Sequence, residues 1–154
     1  MAHRTILTTR QRAALYDLPT EEPELLRHYV LSDFDIQHIK QRRKSENKLG
    51  FALNLCALRY PGRLLRPGEE IPASLLSFIG AQLGLTGNEL LSYGQRSQTR
   101  YEHSTAVQEL YGYRKFDPDH EEFKTWLADA AEQARSNEAL ATAIILKLRS
   151  LKII

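Results

Sequence analysis

The chain has 154 residues, of which 42% are hydrophobic and 26% charged, with one cysteine and a net charge of +2. That balance belongs to one medium or two small folded domains and gives no compositional case for disorder. The single Cys56 excludes an intrachain disulfide or a cysteine-rich zinc site, in keeping with a reducing cytoplasm, and no apolar run has signal-peptide or membrane-span length.

In chain order the elements read as helices throughout. Thr8 and Thr9 precede a short apolar pattern, Ala13, Ala14 and Leu15, that Pro19 stops, which predicts a short first helix. Thr20 is placed to cap a second helix carrying Leu25, Leu26 and Tyr29, because Pro23 is tolerated in a first turn where its missing N–H has no intrahelical acceptor. Ser32 is the expected N-cap of a third helix, with Asp33 and Asp35 favouring its dipole and Ile36 and Ile39 facing a core. It ends in Lys40-Gln41-Arg42-Arg43-Lys44, and Ser45 is the expected cap of the next helix.

That fourth helix, about 46–60, carries Leu49, Ala52, Leu53, Cys56, Ala57 and Tyr60 at helical spacing, with Phe51, Leu55 and Leu58 on the opposite side. Apolar residues on two faces predict a central, buried helix. Gly50 within it costs about 1 kcal/mol against alanine, a cost that close helix packing or close approach to a backbone would explain. Pro61-Gly62 ends the helix, the stretch to Ile71 reads as loop, and a boundary falls there, giving one helical domain over 1–68 and a second helical domain over 69–154.

Pro72 opens a helix through Leu75, Leu76, Ile79 and Leu83 that Gly84 stops. A short helix is expected over 88–93, closed by Gly94, and another over 99–111 followed by Gly112. Asp117-Pro118 reads as a cap and first-turn pair before the stripe Phe123, Trp126, Leu127, Ala130, Ala131 and Ala134. Asn137 begins a last helix with Leu140, Ile144, Ile145, Leu148 and Leu151 on one side. The apolar tail 151–154 has no cap or turn, as expected of a piece cut from a longer protein or of a packed C-terminus.

Catalytic templates fail. There is no GxxxxGKS/T, GxGxxG, HExxH or GxSxG, so nucleotide cradling, zinc proteolysis and serine-nucleophile hydrolysis lack a motif. His3, His28, His38, His103 and His120 are scattered, and no cofactor or metal is expected; Asp117, Asp119, Glu121 and Glu122 are explained by a first helical turn.

What survives is a local basic excess. Over 31–67 lie eight Lys or Arg (Lys40, Arg42, Arg43, Lys44, Lys48, Arg59, Arg63 and Arg66) against three acids (Asp33, Asp35 and Glu46), while the rest of the chain is neutral or slightly acidic. Phosphate binding needs cations converging on one strip, and base reading needs Arg, Lys, Asn or Gln at the exposed start of a helix in the major groove. Arg42, Arg43 and Lys44 close one helix, a brief turn follows, and Asn47 and Lys48 begin the next, which is helix-turn-helix spacing; the same cations would also complement the dipole of the helix they close. A second candidate surface is Arg96, Gln98, Thr99 and Arg100, with Arg114 beyond the helix end. There Arg100 and His103 share a side with Val107 and Leu110, so either could be a hydrogen-bonded core residue.

These residues resemble the N-terminal region of Tn3-family transposases. The resemblance rests on Tyr29-Val30-Leu31-Ser32 with Asp35, Arg42-Arg43, Asn47-Lys48-Leu49-Gly50-Phe51-Ala52-Leu53, Leu55-Cys56 and Leu58-Arg59-Tyr60-Pro61-Gly62-Arg63. It continues through Gln82-Leu83-Gly84, Tyr93, Arg96, Gln98-Thr99-Arg100, His103, Gly112-Tyr113-Arg114 and Phe116, while Lys48 and Ala57 stand where Arg and a larger residue are expected. It implies an all-α tandem of small helical domains of helix-turn-helix character that recognises the double-stranded terminal inverted repeats of a transposon in the bacterial nucleoid. It also implies that the DDE-type catalytic core lies several hundred residues further on and that this segment is not itself an enzyme. The alternative is a protein-interaction or dimerisation module of the same transposase, using the two-sided helix and the stripe of Phe123 and Trp126.

Overall fold

A computed structural model of the chain describes residues 6–66, 69–85 and 97–153, with backbone alone over 97–102. Among the described residues it is all-α, with eight helices: α1 (Thr9–Tyr16), α2 (Glu22–His28), α3 (Asp33–Lys40), α4 (Ser45–Arg59), α5 (Ala73–Leu83), α6 (Ser97–Tyr111), α7 (Glu121–Gln133) and α8 (Asn137–Ser150). The helix expected over 88–93 lies outside the described residues.

The chain forms two compact units, Leu18–Tyr111 and a discontinuous one made of Met1–Asp17 with Gly112–Ile154. This division differs from a boundary at residue 68, and the physical reason is α4. Every residue from Leu49 to Leu58 is buried, so one helix must be covered on all sides, and it is covered by α3 before it and by α5 and α6 after it. Burying a Leu or Phe side chain is worth roughly 1.5–3 kcal/mol, so α5 and α6 belong to the unit whose core they close. Tyr29, Ile39, Leu75, Ile79 and Val107 complete that core with no exposed surface.

Polar joints fix the elements of this unit. The Gln82 side chain accepts from the Leu31 N–H (2.8 Å) and donates to the Tyr29 carbonyl (3.0 Å), clamping the α2–α3 link to α5. The buried Tyr29 hydroxyl donates to the Tyr60 carbonyl at 2.6 Å. Asn54, buried on α4, donates to the Gly50 carbonyl and accepts from the Leu65 N–H, which ties down the loop after α4. Gly84 ends α5 at φ 72°, the left-handed conformation that favours glycine.

Several caps fall one residue or more from their expected places. Thr8 and Ser32 build reciprocal capping boxes with Gln11 and Asp35. By contrast, α2 is preceded by Glu21 rather than Thr20, and α4 by Lys44 rather than Ser45, neither with a side-chain cap. Asp117 makes a turn, accepting from the Asp119 N–H at 2.9 Å, and it is His120 that caps α7. Ser136 caps α8.

In the discontinuous unit α7 packs on α8. Phe123 is the buried anchor, with Phe116 edge-on at 5.6 Å and Trp126 stacked at 5.8 Å. The Arg149 guanidinium donates to the Leu15 carbonyl, and the Arg114 N–H donates to the Lys152 carbonyl in an isolated parallel bridge.

Candidate nucleic-acid interface

The turn between α3 and α4 gathers the cations. α3 ends because its last turn runs into four consecutive long polar residues without an apolar anchor, and α4 restarts where Leu49 and Phe51 can reach the core. Between them Lys40, Arg43 and Lys44 are exposed, and Asn47 and Lys48 are half-buried at the first turn of α4. None of these four cations is ion-paired with a described residue, and the one acid among them in sequence is Glu46.

Arg42 has a different place. Its guanidinium lies over the Phe51 ring at 4.4 Å, and its Nε is buried without a hydrogen-bond partner. Phe51 in turn meets the buried His103 edge-on at 5.4 Å, so His103 is a core residue. Arg42 therefore braces the turn as well as charging it.

Two further cations of the basic stretch are consumed internally. The Arg59 guanidinium donates to both oxygens of Asp35, at 2.6 and 2.7 Å, and Asp35 also accepts from the Tyr111 hydroxyl at 2.7 Å and the Ser32 N–H at 2.9 Å. Burial alone would raise the Asp35 pKa, but the donors from Arg59, Ser32 and Tyr111 outweigh it and bring it to about 2. The Tyr111 hydroxyl is pushed upward, first by burial and then by the Asp35 charge that it donates to. This network joins α3, α4 and α6. Arg63 pairs with Glu69 through two bonds, at 2.6 and 3.1 Å, across the loop after α4. Arg59 and Arg63 are thus framework residues rather than open phosphate ligands, which leaves the basic excess to 40–48 and the exposed Arg66.

The second surface falls mostly outside the described residues. Arg96 and the side chains of Gln98, Thr99 and Arg100 lie outside the described residues, and Arg114 is exposed in the other unit.

Reading the sequence passed over Asp35 as a network centre, because capping already explained it. The signal was present: Asp35 and Ile39, four apart, share one face of α3, and a carboxylate on an apolar face needs a buried cation. Gln82 and Tyr111 carried no comparable signal. Cys56 is buried and its thiol is pushed up to about 12 by burial, which leaves it an inert core residue. Among the described residues no cluster of His, Cys, Asp or Glu could hold a metal, and no helix is long and apolar enough to cross a membrane.

The family described as "Domain of unknown function (DUF4158)" matches residues 6–154. The chain belongs to this family. The transposase for transposon Tn3926 of Escherichia coli is 38% identical over 155 residues, which cover 100% of this chain and 16% of that protein. The transposase for transposon Tn21 of Escherichia coli is 37% identical with the same coverage. That for transposon Tn501 of Pseudomonas aeruginosa is 35% identical over 153 residues, 97% of this chain and 15% of its own length. The match is to the N-terminal region of Tn3-family transposases, and the chain spans about a sixth of these relatives.

In this DUF4158 chain many residues that carry the likeness are joints of the fold: Tyr29, Asp35, Arg59, Tyr60 and Gln82 all hold elements together. Of the two surfaces offered for a protein-interaction role, the α4 faces are covered, while on the stripe Trp126 stays half-buried. Both faces of α4 are buried in its own unit, and Phe123 is buried against Phe116 and Trp126.

Proposed function

We propose that this chain is the DNA-binding N-terminal segment of a Tn3-family transposase, recognising the double-stranded terminal inverted repeats of its transposon in the bacterial nucleoid. The observation that carries this reading is the cluster of Lys40, Arg43, Lys44 and Lys48 at one helix-turn-helix corner, each at least partly exposed and none ion-paired with a described residue. Such a cluster releases counterions from a phosphate backbone, the main source of affinity for DNA. The corner belongs to the unit with the deeply buried core, so the backbone that carries its charges is held by packing.

The burial of α4 from Leu49 onward supports an end-on mode of docking. A helix covered on all sides cannot lie lengthwise in a groove while the unit stays folded. It meets DNA end-on, with its first turn and the preceding cations, as helix-turn-helix proteins use the N-terminal residues of their second helix. Cutting and joining of strands we assign to the remaining five-sixths of a transposase such as these relatives. This segment supplies no catalytic group in that scheme.

A gel shift tests the reading. The chain should retain a duplex carrying its transposon's terminal repeat in the presence of excess random duplex of equal length. Equal competition by both duplexes would remove specific recognition, and no shift at all would remove DNA binding.

A further inference from the structure

Given DNA as the partner, an inference that rests on the reading above, we propose that Asn47 is the base-reading side chain of the corner and that it reads an adenine in the major groove. Because α4 is buried from Leu49 to Leu58, only its first turn can reach a base edge. The side chains available there are Ser45, Glu46, Asn47 and Lys48, with Gln41 at the end of α3.

Chemistry separates them. Lys48 joins Lys40 and Lys44 as a point charge suited to phosphate, and the Arg43 guanidinium, which lies before α4, offers donors only and so would pair with a phosphate or with O6 and N7 of guanine, not with adenine. The Glu46 carboxylate only accepts hydrogen bonds and is repelled by the phosphates that the cations attract. Ser45 has a single hydroxyl and cannot make the paired contact that singles out one base. Asn47 and Gln41 each carry an amide, the one neutral group that donates and accepts side by side and so matches N6 and N7 of adenine. Gln41 is exposed and has one more rotatable bond to immobilise, whereas Asn47 is half-buried and so already restricted.

The Asn47 amide is also unspent. It makes no hydrogen bond with a described residue, and the N-cap position of α4 is Lys44, with no side-chain cap, so capping does not account for it. Asparagine inside a helix is less favourable than alanine. Here no local contact offsets that cost, unlike at Asn54, whose amide bonds both Gly50 and Leu65.

The test is selection of duplexes from a random-sequence library by the wild-type chain, Asn47→Ala, Asn47→Asp and Lys44→Ala, followed by sequencing. The wild type should fix an adenine at one position, and Asn47→Ala should relax that position by roughly tenfold or more while keeping the rest of the preference. Asn47→Asp, of the same shape but accepting only, should abandon adenine there for cytosine. Lys44→Ala should bind every sequence more weakly with the preferences unchanged. Retained adenine preference in both Asn47 variants, or a wild type without preference at any position, would overturn the assignment while DNA binding stands. A wild type that recovers no duplex would overturn DNA binding itself. Asn47→Ala should melt no lower than wild type, so a relaxed preference is not a folding defect.

Discussion

The two units of this chain solve the same problem to different depths. In Leu18–Tyr111, α4 contributes ten consecutive buried residues, and a buried carboxylate, a buried tyrosine hydroxyl and a glutamine clamp fix its neighbours. In the unit of Met1–Asp17 with Gly112–Ile154, neither α1 nor α8 buries any residue fully, and among the described residues the core rests on Leu7, Phe123 and Ile153. The difference shows where a precise contact surface can be built. Cations at 40–48 stand on the unit whose side chains have little freedom left.

The comparison breaks first in the core. Leu55→Ala on α4 should cost about 2–5 kcal/mol in guanidinium unfolding, because a fully buried side chain leaves a cavity that close-packed neighbours cannot fill. Next is the buried charge. Asp35→Ala strands the Arg59 guanidinium and should cost about 3–5 kcal/mol. The carboxyl is also a pH probe. Its folded pKa of about 2 lies below the ordinary 3.8, so its contribution, about 2 kcal/mol, is present near neutrality. It fades as pH falls from about 5 toward 2, and Asp35→Asn should flatten that part of the stability curve.

Smaller effects sharpen the contrast. Gln82→Ala leaves the Leu31 N–H and the Tyr29 carbonyl without their partner and should cost about 1–3 kcal/mol, seen as faster amide exchange in the α2–α3 link. Leu146→Ala on α8, at a position 51% exposed, should change stability by less than about 0.5 kcal/mol. A loss there as large as at Leu55 would show that the two units are equally dependent on their apolar residues.

Much of the fold was legible because its signals are local. The helical spacing of apolar residues along α4, the Ser32 cap and Gly84 each depend on neighbours within a few positions. The grouping of helices into units was not, since α5 and α6 join α4 across a long stretch of chain, and periodicity says which face is apolar but not what covers it. The site was half legible. Charge counting found the basic stretch, yet it could not see that Arg59 and Arg63 are neutralised by Asp35 and Glu69, or that Arg42 leans on Phe51. A count of charges in sequence becomes a phosphate-binding face only after the internal pairs are removed.

The salt dependence of duplex binding tests that claim most directly. Each phosphate neutralised contributes about 0.9 to the slope of log affinity against log salt. The double variant Arg43→Ala with Lys44→Ala should therefore lose affinity and flatten the slope by about 2. Lys124→Ala, an exposed cation of the other unit, should leave both unchanged. An unaltered slope in the double variant, or an equal loss from Lys124→Ala, would contradict the assignment of DNA binding to the α3–α4 corner.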